Sequence, residues 1–365
     1  MNENVYYAPV IRWKKGEQIA LKKLNSNIKE RIIPLFEIPP IDWDFEKGRP
    51  QKSIEEHLVK IPAQIKDVWS ANQKFMLDLT HLCIDDDETM KSGLHPLEHV
   101  INDLTLNELP VTPVLSSKNG SNYENAIFKV VDESIRRLAI RIYPSDLKRI
   151  DELITSYLNK TRLSPENIDI ILDYGYIRDK EIVQITNEIA GAITIIPFLN
   201  EWNSFSLITT SIPEDLSEIK TGETGTLNRC EWTIYKSIIK RNLTRHPNFG
   251  DYNIQNPEYK QLNPKFIQQA AAIRYTTCEN YLIVRGYSVR SEKHGKWKQM
   301  QGLSEQIVNH DDYSGPNYSF GDEYIYKCHL GEVGTGNAMT WRTIGTNHHL
   351  TLVIKELSNF HGFSI

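Results

Sequence analysis

The stretch Val111–Tyr143 reads VTPVLSSKNGSNYENAIFKVVDESIRRLAIRIY, and its pattern decides the predicted fold. An apolar run rich in β-branched residues, Val111–Ser116, begins it, and a second such run, Leu138–Tyr143, ends it. Between them, Asn122–Arg136 carries apolar residues at helical spacing. Apolar strands that alternate with amphipathic helices are typical of a buried parallel sheet, because helices cover both of its faces.

The same unit recurs along the first two-thirds of the chain. Seven apolar runs precede Glu201: Tyr6–Trp13, Ile32–Ile38, Phe75–Leu82, Val111–Ser116, Leu138–Tyr143, Ile168–Tyr174 and Ile193–Leu199. An eighth strand is predicted at Phe249–Tyr252, after a helix over Cys230–Arg241. Eight parallel strands close a barrel that has no exposed edge. The sequence therefore predicts an α/β protein with a (β/α)₈ TIM-like barrel over residues 1–257, and the alternative is an open, doubly wound α/β sheet.

The composition changes after Pro257, and residues 258–365 are predicted to form a C-terminal α+β annex packed on the barrel. Two further strands are expected at Ala270–Thr276 and Tyr281–Tyr287. The polar segment 288–321, rich in Gly, Ser, His and Asp, indicates a long loop. A Gly-rich turn then leads into a helix over His348–Leu357.

Composition excludes several classes of protein. The chain has 365 residues, of which 40% are hydrophobic and 24% are charged, so it can bury a substantial core. A formal net charge of -5 argues against coating nucleic acid by charge alone. The four cysteines are far apart and form no C-x-x-C pair, which favours reduced thiols over disulfides or a zinc site. We expect a cytoplasmic protein, because neither a secretion signal nor an apolar run of roughly 20 residues is visible.

Polar side chains at the predicted strand ends are the candidates for function, since parallel barrels carry their sites there. The predicted catalytic residues are Glu37, Asp173 and Asp251, and the predicted ligand-binding residues at these ends are Arg12, Lys14, Asp78, Arg141 and Tyr252. Cationic groups would hold an anion, while a carboxylate would transfer a proton. One alternative stays open. The three carboxylates within apolar runs, Glu37, Asp78 and Asp173, would also be explained by structural pairing with Arg12 or Arg141.

Other motifs give weaker signals. His81 lies near Asp78 and the acidic run Asp85–Asp87, but such a run is more typical of solvated surface, so no metal site is predicted. The adjacent pair His348–His349 lacks the H-E-x-x-H spacing of a metal-binding helix. The turn Gly334–Asn337 lacks the Lys-Ser/Thr of a P-loop. No G-x-S-x-G elbow is present, and no cofactor is identified.

Five short motifs carry a family resemblance: Tyr7–Glu17 (YAPVIRWKKGE), Pro34–Glu37 (PLFE), Phe249–Tyr252 (FGDY), Ile273–Thr276 (IRYT) and Val284–Gly286 (VRG). In combination they resemble the beta protein family, over essentially the whole chain. That family is named for a phage protein and also occurs in bacterial genomes, often in mobile or defence-rich regions. The resemblance implies a role in phage–host conflict, and it adds Arg274 and Arg285 to the predicted ligand-binding residues. It implies no mechanism.

Two functions follow from these observations as hypotheses. The first is a barrel-mouth site for a phosphate-bearing ligand, such as a nucleotide or a nucleic-acid end. Hydrolysis of a phosphodiester or N-glycosidic bond would suit paired carboxylates beside cationic clamps. The second is a non-catalytic interaction protein that binds a phage or host protein through its annex. Strand-end charges that converge on an open pocket would favour the first, and charges that neutralise one another internally would favour the second.

Overall fold

Strands and helices alternate along the chain as far as residue 250, and a smaller α+β unit follows. The computed structural model describes residues 6–69, 72–261, 263, 265, 266 and 268–365. The strands are β1 Val10–Arg12, β2 Leu35–Glu37, β3 Trp43–Asp44, β4 Arg49–Pro50, β5 Phe75–Asp78, β6 Val111–Ser116, β7 Leu138–Ile142, β8 Ile168–Tyr176, β9 Ser204–Thr210, β10 Thr224–Asn228, β11 Asn248–Gly250, β12 Ala270–Thr276 and β13 Asn280–Ser288. The α-helices are α1 Lys15–Lys22, α2 Ser26–Lys29, α3 Ile54–Leu58, α4 Ile61–Val68, α5 Pro96–Leu106, α6 Ser121–Val130, α7 Ile150–Thr161, α8 Ile182–Thr194, α9 Cys230–Ile239, α10 Met300–Val308, α11 Phe320–Leu330 and α12 Ala338–His361.

Eight parallel strands form the barrel, in the order β1-β2-β5-β6-β7-β8-β9-β11. Tyr7 closes the ring, because it bridges in parallel to both Ile32 and Phe249. The backbone amide of Ala8 donates to the Phe249 carbonyl at 2.9 Å, and that of Val10 donates to the Asp251 carbonyl at 2.8 Å. The predicted (β/α)₈ barrel is therefore confirmed, and the open sheet is excluded.

The barrel interior is filled by one apolar layer to which every strand contributes. Its members are Val10, Leu35, Met76, Val114, Ala139, Ile171, Ile208 and, just after β11, Tyr252. Side chains alternate along a strand, so the residue two positions further on also faces inward. In the first seven barrel strands those positions are polar: Arg12, Glu37, Asp78, Ser116, Arg141, Asp173 and Thr210. The sequence thus builds a polar layer above the apolar one, at the carboxyl ends of the strands.

The prediction of the seventh strand at Ile193–Leu199 is wrong. Helix α8 extends to Thr194, and the seventh barrel strand is β9, about ten residues later. Ile185, Ile189 and Ile193 are all buried and lie four residues apart, which is the spacing of one helical face. The run is therefore the last two residues of an amphipathic helix followed by a turn, whereas the true strand begins and ends in Ser and Thr.

The annex is a three-stranded antiparallel sheet, in the order β10-β13-β12, with helices α10, α11 and α12. Its edge strand β10 comes from before residue 257, between β9 and α9, so the annex is completed by a segment of the predicted barrel region. The segment 288–321 differs from the predicted loop, because it contains a 3-10 turn at Lys296–Gln299 and helix α10. Met300, Leu303 and Ile307 of α10 are buried at helical spacing within this polar segment.

The long helix α12 joins the annex to the barrel. Thr343 donates from Oγ1 to the Gly16 carbonyl at 2.9 Å, and Asn347 donates from Nδ2 to the Ala20 carbonyl at 3.0 Å, both in helix α1. The helix begins at the side-chain cap of Asn337, earlier than the sequence predicted. Within the described ranges, no helix combines the length and the apolar composition that a membrane span requires.

Candidate functional site

The polar layer at the barrel mouth centres on Arg141. Its Nη1 donates to Glu37 Oε1 at 2.9 Å and to Asp78 Oδ2 at 2.8 Å. Its Nε donates to Asp173 Oδ2 at 2.8 Å, and its Nη2 donates to the Tyr252 hydroxyl at 2.7 Å. Tyr252 in turn donates to Asp173 Oδ2 at 2.6 Å. Five of the predicted site residues therefore meet in one cluster, which we call the Arg141 cluster.

The Arg141 cluster is closed to solvent. Arg141 is 4% exposed, Glu37 2%, and Asp78 and Asp173 1% each. Burial raises the pKa of Tyr252 well above its usual 10, against the attraction of Arg141, so the phenol keeps its proton. Arg141 is neutralised within the barrel by the carboxylates around it, which is the arrangement expected of structural pairing.

One carboxylate oxygen of the Arg141 cluster has no hydrogen-bond partner among the described residues. Asp78 Oδ1 accepts from the amide and hydroxyl of Thr80 at 2.8 and 2.5 Å, and Asp173 Oδ1 accepts from the Gly175 amide at 2.9 Å. Glu37 Oε2 is buried and has no hydrogen-bond partner within the described part of the chain. Besides Arg141, His81 lies near Glu37, with its Nε2 3.9 Å from Oε1. Glu37 is therefore the carboxylate of the cluster with an acceptor left for a ligand.

Arg12 and Lys14 do not join the Arg141 cluster. Arg12 Nη2 donates to the carbonyls of Asn256, Pro257 and Glu258 at 2.8, 2.7 and 2.8 Å. Lys14 Nζ donates to the Tyr259 hydroxyl at 3.0 Å. The two cations thus hold residues 253–261, here called the mouth segment, at the carboxyl end of the barrel.

Asp251, predicted as catalytic, lies outside the barrel mouth. It precedes the inward-facing Tyr252, so alternation turns its side chain to the outer face. There its Oδ2 lies 2.9 Å from Nε2 of His349, and its Oδ1 accepts from the Tyr7 hydroxyl. Burial opposes its ionisation, but the charge and hydrogen bond of His349 outweigh that effect and lower the pKa of Asp251 below 3.8. Asp251 therefore ties the barrel to helix α12.

The acidic run Asp85–Asp87, from which no metal site was predicted, has a structural role. Asp86, in the acidic loop, accepts from the backbone amides of Asn122 and Tyr123 at 2.9 Å each and so caps helix α6. Among the residues that the structure describes, no group of three or more His, Cys, Asp or Glu side chains is arranged to hold a metal ion.

A cleft of about 350 Å³ lies between the loops at the barrel mouth and the annex. Ile254 and Asp215 contribute from the barrel side, and β12, β13 and the start of α12 contribute from the annex. Its cationic residues are Arg274, Arg285 and Arg342. No member of the Arg141 cluster lines it, so the open cavity and the carboxylate cluster are separate features of the same end of the barrel.

Arg274 and Arg342 are short of partners in this cleft. Arg274 makes no hydrogen bond or ion pair with any described residue, and its Nε is buried. Burial, and then the charge of Arg342, lower the pKa of Arg274 to about 9, so it stays protonated at neutral pH. Arg342 has a buried Nη1 without a partner, and its Nε lies 3.7 Å from Glu17 Oε1. Two arginines thus share one cleft, and each has a buried N–H group without an acceptor among the described residues.

Arg285 differs from its two neighbours, because its Nη1 donates to the carbonyls of Leu216, at 2.6 Å, and Ile219. The sequence had predicted Arg274 and Arg285 as ligand-binding residues but had missed Arg342. Its signal was its place as the fifth residue of helix α12, directly after Trp341 and close to the Gly-rich turn. Only the packing of α12 against β12 within the annex brings it beside Arg274.

The fold and its sites define a (β/α)₈-barrel protein with a C-terminal α+β annex and a cationic cleft between the two. The model of the Beta protein family matches residues 7–355, and the chain belongs to that family. Among solved structures, the chain is similar to triosephosphate isomerase from Bartonella henselae, with 11% identity and a TM-score of 0.35. That likeness covers 68% of this chain and 91% of the isomerase. No curated protein matches the chain.

Proposed function

We propose that this protein binds a phosphate-bearing ligand in the cleft between the barrel mouth and the annex. The observation that carries the proposal is the pair Arg274 and Arg342, because each has a buried N–H group without an acceptor among the described residues. A buried N–H group without an acceptor is costly, so a ligand that supplies the acceptor would bind favourably there. The planar guanidinium matches the oxygens of phosphate, to which it donates two parallel hydrogen bonds.

The start of helix α12 supports the same ligand. Ala338, the first residue of this 24-residue helix, lines the cleft beside the two arginines. The amino end of a helix carries a partial positive charge and favours anions. The two guanidiniums and the amino end of the helix therefore both favour an anion in the same cleft.

Hydrolysis at the barrel mouth stays a prediction. Within the Arg141 cluster, Glu37 is the residue suited to accept a proton, since its Oε2 is free of hydrogen bonds from the described residues. Asp173 is less suited, because Arg141, Tyr252 and the Gly175 amide occupy both of its oxygens. A substrate would reach Glu37 only after the mouth segment has moved.

A second candidate function is the binding of a phage or host protein. Trp43 and Phe45, on the hairpin formed by β3 and β4, are exposed, and so is Phe266. Lys265 and Glu46 form an ion pair at 2.7 Å that links this hairpin to the chain around Phe266. Exposed aromatic residues are typical of protein interfaces. Both functions are compatible with the expected setting, a conflict between phage and host in the cytoplasm. We propose that setting together with either function.

The ligand proposal is tested by isothermal titration calorimetry with inorganic pyrophosphate and ribose 5-phosphate. We expect the wild type and Arg149→Met, an exposed arginine that does not line the cleft, to bind alike. Arg274→Met and Arg342→Met should each lose binding at least tenfold. Equal affinity of Arg274→Met and the wild type, or no binding of either probe to the wild type, would contradict the proposal.

A further inference from the structure

The cleft that holds the two arginines also has aromatic walls. Trp341 is fixed in place, because its Nε1 donates to the Thr335 carbonyl at 2.9 Å and its ring meets Tyr324 edge-on at 6.0 Å. Trp297, on the 3-10 turn, is partly exposed, and its indole N–H makes no hydrogen bond with any described residue. The cleft therefore combines cations with a partly exposed indole ring.

We infer that the phosphate-bearing ligand is a mononucleotide, with its phosphate on Arg274 and Arg342 and its base against Trp297. This inference rests on the proposed function and names the ligand of the same cleft. Every nucleobase has a π-face, and an exposed indole is the side chain best suited to stack on one. The side chains of Gln268 and Gln269, which also line the cleft, offer amide donors and acceptors to the edge of the base.

Size favours a single nucleotide. The cavity of about 350 Å³ lies near the lower end of the range for small-molecule pockets, about 300–1,000 Å³. That volume suits one base with its sugar and phosphate, and leaves no room for successive nucleotides within the cleft.

Charge also argues against a nucleic-acid strand. Binding along a phosphate backbone needs a track of cations. Here the cleft has two arginines with buried N–H groups that lack acceptors among the described residues, and Glu214 and Asp215 line it as well. The Ser217 hydroxyl and amide lower the pKa of Asp215 below 3.8, so this carboxylate is ionised at neutral pH. Negative charge beside the cleft would repel the phosphates that follow in a strand.

The test compares ribose 5-phosphate with the four ribonucleoside 5′-monophosphates by calorimetry on the full chain, with quenching of tryptophan fluorescence as a second readout. At least one nucleotide should bind about 10- to 100-fold more tightly than ribose 5-phosphate, which is the contribution of one stacked base. Trp297→Leu should remove this advantage and leave the affinity for ribose 5-phosphate unchanged. Trp297→Phe should keep part of it, because a ring remains.

The matched control is Tyr287→Leu, which removes an exposed aromatic ring of the annex that does not line this cleft. This variant should bind the nucleotide more tightly than ribose 5-phosphate by the same factor as the wild type. Circular dichroism should show that all variants are folded. Equal affinities for ribose 5-phosphate and every nucleotide would overturn the inference and leave the phosphate site standing. So would tighter binding of a 5′-phosphorylated oligonucleotide than of any mononucleotide. Failure of ribose 5-phosphate and all nucleotides to bind would instead overturn the proposed function.

Discussion

His348 and His349 are neighbours in helix α12, yet each binds a carboxylate from a different part of the fold. His348 Nδ1 lies 2.9 Å from Asp322 Oδ2 in the annex, whereas His349 Nε2 lies 2.9 Å from Asp251 Oδ2 at the barrel. Both histidines also meet Thr276 at the end of β12, one at its carbonyl and the other at its hydroxyl. All of these side chains are buried. This paired network fixes the annex on the barrel and so sets the walls of the cleft.

Replacement of His349 by leucine should lower the free energy of unfolding by about 1–3 kcal/mol at pH 7, because buried Asp251 and Thr276 lose a partner. The pKa of Asp251 is lowered in the folded protein, so its contribution is present above pH 3.8 and is lost as the pH falls below that value. Urea unfolding at several pH values measures this. His246→Leu, at an exposed position, is the control and should change stability little. A cost for His349→Leu no larger than that of the control would contradict the network.

Glu356 predicts a second dependence on pH, of opposite sign. Burial raises the pKa of Glu356 from 4.5 to about 7, although Arg229 opposes this. A raised folded pKa means that stability is fully present below pH 4.5 and is lost as the pH rises through about 7. The loss is on the order of 3 kcal/mol. Glu356→Gln should flatten the profile of unfolding free energy between pH 5 and 8, whereas Glu201→Gln, at an exposed position, should not. Parallel profiles for Glu356→Gln and the wild type would rule this out.

Arg141→Met should lower the free energy of unfolding by about 3–5 kcal/mol, since three buried carboxylates lose their shared cation. Arg178 offers a matched control, because it pairs with Glu218 in a more exposed place. Arg178→Met should lower the free energy of unfolding by no more than about 1 kcal/mol. Glu37→Gln should also cost little, because the amide keeps the acceptor for Arg141 and Oε2 has no described partner to lose. Chemical denaturation compares all three, and a small effect of Arg141→Met would mean that the Arg141 cluster does not hold the barrel mouth together.

Arg274→Met should raise the free energy of unfolding by about 1 kcal/mol while it removes ligand binding, because it deletes a cation whose charge no described residue neutralises. The pKa of Arg274 is lowered to about 9, so its charged form is disfavoured in the fold, and the gain should be fully present at pH 7. Arg285→Met, in the same cleft, should instead lower the free energy of unfolding by about 1–2 kcal/mol, because it leaves two carbonyls without their donor. Thermal unfolding without ligand distinguishes the two, and a destabilised Arg274→Met would indicate a structural role.

The Arg141 cluster was predictable because it depends on local order. Strand ends locate its members along the chain, and alternation decides which of them face inward. The same alternation would have excluded Asp251, which lies next to the inward-facing Tyr252. The error at Ile193–Leu199 has a similar origin, since β-branched residues suit a strand but Ile193 continues the four-residue spacing of Ile185 and Ile189 on a helical face.

The barrel, its closure by an eighth strand and the polar layer at its mouth follow from the order of residues along the chain, because apolar periodicity and side-chain alternation are properties of neighbouring residues. Which charged groups pair and which keep N–H groups without acceptors depends on long-range packing. Arg141 is neutralised by carboxylates from three other strands, whereas Arg274 lies beside Arg342 because helix α12 packs on β12 within the annex. These contacts join residues that are distant in sequence, and no local pattern encodes them.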